Sequence, residues 1–105
     1  MRLRRGRTYG KLVRRQLDLF ETDEADLLRE ARDADEAWSI AGPDASEELY
    51  GDYQLVVDAI GERLYDIREA YAATLDERAA EDYRTAYDRA ATKRFKRLAS
   101  FLGET

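Results

Sequence analysis

Apolar residues recur at helical spacing through most of this chain. From Val13 they run Leu17, Phe20, Leu27, Ala31, Ala34, Trp38 and Ala41, in steps of three and four. The seam is interrupted where Glu24 takes the position that should be apolar. Such a stripe predicts an amphipathic helix. Glu24 follows Thr22 and Asp23, either of which could cap a new helix, so the first segment is one long helix or two with a break near Thr22.

Ala41-Gly42-Pro43-Asp44 is the strongest punctuation. Glycine suits the end of a helix, proline cannot continue one, and Asp44 with Glu47 forms a capping-box pattern that predicts a new start near Asp44. Tyr50, Tyr53, Val57, Ile60, Leu64, Ile67 and Tyr71 then mark a second stripe, widened by Leu49 and Val56. A second capping pattern, Thr74 to Glu77, predicts a tight turn. The third stripe is Ala80, Tyr83, Tyr87, Ala91, Phe95, Leu98 and Leu102, with Gly103 placed to end the helix. Strand alternation is nowhere sustained. The expectation is an all-α bundle of three long antiparallel helices, or four if the first segment breaks, over residues 8–105, preceded by a basic arm at 1–7.

Composition sharpens this picture by what it lacks. With one proline, six glycines and no cysteine, the chain favours helix and must rest on buried apolar surface rather than disulfides. Histidine is absent too, which excludes Ser-His-Asp and Cys-His nucleophilic sites, the common zinc sites and histidine-bearing di-iron bundles. No apolar run reaches the roughly 20 residues of a spanning helix, and no secretory leader is visible, so the expectation is a cytoplasmic chain.

Charge is distributed in blocks. Residues 1–15 carry Arg2, Arg4, Arg5, Arg7, Lys11, Arg14 and Arg15 and no acid, whereas residues 16–52 carry thirteen acids against Arg29 and Arg32. Lys93, Arg94, Lys96 and Arg97 make the final stretch basic again. If a four-helix layout brought both ends together, Arg2, Arg4, Arg5, Arg7, Lys93, Arg94 and Arg97 would form one anion-binding patch. A pI near 4.8 opposes general attraction to polyanions, and the arm could equally lie against acidic surface of its own or another chain.

Carboxylates are the remaining candidate chemistry. Glu21 with Glu24, Glu62 with Asp66 and Glu69, and Glu77 with Glu81 have the spacing of a magnesium-holding helix face. Solvated helix surfaces explain these pairs better in a chain with 23 acids. Asp33-Ala34-Asp35 fails as a calcium loop because Trp38 stands where glycine is needed. Tyr65 and Leu19 fall off the stripes and mark candidate association surface, while Trp38 reads as a plug at one end of the bundle. No residue is assigned as catalytic, cofactor-binding or metal-ligating. The leading expectation is a non-enzymatic interaction or scaffold domain that binds a protein partner or itself, with a homodimer favoured. The alternatives are nucleic-acid binding through the arginine arm and, last, a carboxylate-only magnesium hydrolase.

Overall fold

The computed structural model describes residues 8–96. They form four helical segments: α1 (Gly10–Asp23), α2 (Ala25–Ser39), α3 (Pro43–Ala72) and α4 (Glu77–Phe95). There is no strand among the described residues. The expected all-α bundle is therefore present, with a break in its first segment.

That break is a bend at one residue. Glu24 takes φ −111° and ψ 32°, yet its N–H still donates to Phe20 O at 2.8 Å and its carbonyl accepts from Leu28 N–H at 2.9 Å. Because the hydrogen-bond ladder passes through, α2 continues in the general direction of α1 instead of reversing. Thr22 does not cap α2; its hydroxyl donates back to Asp18 O at 3.3 Å. Glu24, half-buried on the seam, is satisfied by Arg63 of α3 at 3.0 Å.

Two tight turns reverse the chain. At the first, Gly42 is extended and Pro43 opens α3, where a missing N–H costs nothing and φ is already set. The anticipated Asp44 and Glu47 capping box does not form, since no side chain bonds the first turn there. At the second, Asp76 caps α4 by accepting from Ala79 N–H at 2.8 Å, a bond worth about 1 kcal/mol. Thr74, the other candidate, instead donates to Tyr71 O.

The result is 56 Å long and 25 by 22 Å across. α3 runs antiparallel both to the bent α1–α2 rod and to α4. Tyr9 meets Tyr83 while Phe20 meets Phe95, so α1 and α4 lie parallel. In the half where α1, α4 and the second part of α3 converge, Val13, Leu17, Phe20, Ile60, Leu64, Tyr83 and Tyr87 are essentially inaccessible to solvent. The far half consists, among the described residues, of α2 against the first part of α3. The expected C-terminal cap at Gly103 lies outside the described residues.

Candidate interaction surface

Arg68 sits on the buried stripe of α3 at 5% exposure, one turn beyond Leu64. Its guanidinium grips both carboxylate oxygens of Asp88 at 2.7 and 2.9 Å, donates to Glu69 at 2.9 Å and lies 5.0 Å from the centre of the Tyr65 ring. Glu69 also receives a two-pronged bond from Arg84. Burial alone would lower the pKa of Arg68, but the bonds and charges of Asp88 and Glu69 outweigh it and hold the pKa above the ordinary value. The Arg84 bond, opposed by burial and reinforced by Arg68, holds the Glu69 carboxyl below the usual carboxylate range. Burial likewise pushes the Tyr83 hydroxyl up to about 12 although it donates to Gln16 at 2.8 Å. It raises Tyr87 as well, whose hydroxyl donates to Leu64 O at 2.7 Å. These polar groups are satisfied inside the fold, and the cluster ties α3 to α4.

The far half is built differently. Trp38 of α2 stacks on Tyr53 of α3 at 5.9 Å and tilts against Tyr50 at 4.9 Å, which joins the two helices by their rings near the turn. Ile40 at the turn is 81% exposed, Leu55, on the opposite face of α3 from Tyr53, is 70% exposed, and Tyr50 is exposed as well. Asp33, Glu36, Asp44, Glu47, Glu48 and Asp52 are all exposed on this half. None of these six pairs with a cation among the described residues, and no Lys or Arg occurs between Arg32 and Arg63. The end of the hairpin thus presents exposed apolar side chains inside an uncompensated negative field.

A cleft of about 630 Å³ opens where α4 stops against this hairpin. Leu28, Ala31, Tyr53 and Phe95 supply apolar lining, and Arg29, Arg32, Arg94 and Lys96 also line it. Lys96, the C-cap of α4, takes φ 42°, a left-handed backbone that a lysine adopts at some cost.

Of the anticipated anion patch, only Lys93 and Arg94 are among the described residues. Arg94 is engaged by Asp18 at 2.8 Å and Glu21 at 3.7 Å, while Lys93 is exposed one residue away. Thr8 and Tyr9 lie beside Asp76, Arg78 and Asp82 at the start of α4, the opposite end of that helix from Lys93. The four segments therefore do not return the chain to its starting end, because the bend at Glu24 is no reversal. Arg2, Arg4, Arg5, Arg7 and Arg97 lie outside the described residues.

The acidic pairs are directed elsewhere too. Glu21 faces Arg94, Glu24 faces Arg63, and Glu69 faces Arg68 and Arg84. No three acids converge as a metal ligand set among the described residues. Tyr65 and Leu19 are exposed as expected for off-stripe residues, and Trp38 is half-buried near the turn. The Arg68 cluster and the unpaired acids beside Ile40 and Leu55 were not singled out by apolar spacing. The signal for the first was a charged residue at a stripe position; for the second it was the long interval without a cation.

No helix among the described residues is long and apolar enough to cross a membrane. Comparison with protein-family models, curated proteins and solved structures finds no match, so the surface described above is the ground on which function is argued.

Proposed function

We propose that this chain is a non-enzymatic, cytoplasmic interaction module whose binding surface is the free end of the α2–α3 hairpin. The observation that carries the reading is the exposure of Ile40, Tyr50 and Leu55 on a half whose exposed acids pair with no cation among the described residues. An apolar centre surrounded by one sign of charge suits a partner that presents apolar side chains flanked by Lys or Arg. The apolar contact supplies affinity, and the charge supplies orientation and encounter rate.

Self-association is one form of this reading, and a matter of reach favours it. The arginine arm is attached at Thr8, and Tyr9, Tyr83 and Tyr71 form a continuous ring contact there, so the arm begins at the level of Tyr71. From Tyr71 to Glu48 along α3 is roughly 35 Å at 1.5 Å per residue. Six residues of extended chain cover only about 20 Å. The backbone of Arg2 to Arg7 thus falls short of its own hairpin tip, which a second copy could bring to it.

The test is recovery of native partners by the intact chain and by the combined Ile40→Ser, Tyr50→Ser and Leu55→Ser variant, matched for melting temperature. Partners held by wild type, the chain itself included, should be lost from the variant. Identical recovery would overturn the reading. Polyanion binding through the arm remains the alternative proposal; it predicts salt-sensitive DNA or RNA binding that falls when Arg4, Arg5 and Arg7 become Ala and is indifferent to the hairpin substitutions.

A further inference from the structure

The cleft beside α4 runs along one face of α2, and the same face continues past it to the hairpin end. Leu28 and Arg32 line the cleft, and Glu36 and Ile40 follow Arg32 in steps of four. These four residues therefore share one row of the helix surface. Ile40, at the C-cap, keeps its place in the row because its N–H still donates to Glu36 O at 3.2 Å. Leu28 is half-buried, and the other three side chains are exposed.

Read in order, the row is apolar, cation, acid, apolar. Reversed and laid against itself, it sets each charge opposite its complement and each apolar group opposite the other. Within one chain Arg32 and Glu36 do not pair, either with each other or with any other described residue. Arginine one turn before the acid is the weaker orientation for such a pair on a helix. The surroundings repeat the division. Arg29, Arg94 and Lys96 join Arg32 around the cleft and outnumber its acids, Glu21 and Asp35. Arg29 is engaged by Asp26, and Arg94 by Asp18 and Glu21, so the uncompensated positive charge rests on Arg32 and Lys96. Toward the hairpin end every exposed charge is an acid, with Asp33 and Asp44 beside Glu36.

We propose that the cleft is occupied by the hairpin end of a second copy of this chain. Two α2 helices pair antiparallel about a two-fold axis at the level of Ala34, so that Arg32 of each copy meets Glu36 of the other and Ile40 of each covers Leu28 of the other. Every contact is made twice, and the two-fold closes the assembly at a dimer. Antiparallel overlap is the arrangement that keeps the two negative ends apart and brings each to a positive cleft. This inference rests on the self-association form of the hairpin reading and names the surface that the hairpin end meets, the cleft rather than the arginine arm.

The test is a charge exchange followed by sedimentation equilibrium of the purified chain. Wild type is expected to be a dimer. Arg32→Glu and Glu36→Arg each set two like charges face to face and should weaken the dimer at least about tenfold, with helical circular dichroism unchanged because both sites are exposed. An equimolar mixture of the two variants should regain the dimer, since each supplies what the other lacks, and the double variant Arg32→Glu with Glu36→Arg should regain it alone. A wild type that stays monomeric at its highest soluble concentration would overturn the proposal, as would a dimer that neither variant weakens or a mixture that stays apart. The hairpin reading is tested on recovered partners of other sequence, with Arg32 and Glu36 intact, so it can survive a monomeric wild type.

Discussion

The two halves of the molecule use aromatic residues in opposite ways. Near the chain's start, Tyr83 and Tyr87 have no exposed surface, and their hydroxyls are held by Gln16 and by a backbone carbonyl. At the hairpin end, Trp38 and Tyr50 form a cluster that water still reaches. The near half encloses Tyr83 and Tyr87 entirely; in the far half Tyr53 and Ala31 are still buried between the helices, while Trp38 and Tyr50 above them keep a side facing out. Stability and recognition are thus separated along one long helix, α3, that belongs to both halves.

Three measurements bear on this division. The largest effect is expected from Leu64→Asp, which places an unpaired charge at a site with no exposure and should cost more than about 4 kcal/mol, enough to abolish the helical circular-dichroism signal at room temperature. Leu55→Asp, on the same helix but 70% exposed, should leave the melting temperature nearly unchanged. Similar losses in both would erase the distinction between the halves.

Next in size is Asp88→Ala. It leaves the Arg68 guanidinium buried with Glu69 alone and should cost roughly 3 kcal/mol by urea unfolding. Glu48→Ala, at an exposed acid with no cation partner among the described residues, should change stability by less than about 0.5 kcal/mol.

The smallest effect is a pH dependence that sharpens the contrast. A folded-state pKa near 12 for Tyr83, above about 10 for an unfolded tyrosine, adds stability that is complete below pH 10 and is lost as pH rises toward 12. Tyr87 is raised by burial in the same direction. Tyrosinate absorbance from Tyr83 and Tyr87 should therefore appear only as helical signal disappears. Its completion before any loss of helix would mean the near core admits water.

Much of the near half was legible because it obeys a simple rule: Val13, Leu17, Phe20, Ile60, Leu64, Tyr83, Tyr87 and Ala91 are apolar, helically spaced and buried. Arg68 was not legible in the same way. Its burial depends on Asp88, twenty residues along the chain, and pattern alone does not say which acid on a neighbouring helix will face it. The bend was readable as a fault in the seam at Glu24, but its angle was not, because one residue in an unusual conformation can either kink a helix or reverse it. The surface of the hairpin end escaped for a related reason: Leu49, Tyr50 and Val56 widen the stripe as if two helices would cover it, and only the stopping point of α4 shows how far that cover extends.

The parallel pairing of α1 with α4 also sets an order in time. Gln16 waits for Tyr83 across 67 residues, and Asp18 for Arg94 across 76. At a synthesis rate of about 5–20 residues per second, Val13, Leu17 and Phe20 emerge roughly 4 to 15 seconds before the helix that covers them exists. Both turns close locally and early, whereas α1 docks only when the last helix has been made. During each round of translation a fully buried stripe of the finished molecule stays exposed for that interval, and it is flanked by charges of both signs, Lys11, Arg14 and Arg15 on its first half and Asp18, Glu21 and Asp23 on its second, which break the apolar run as gatekeepers do.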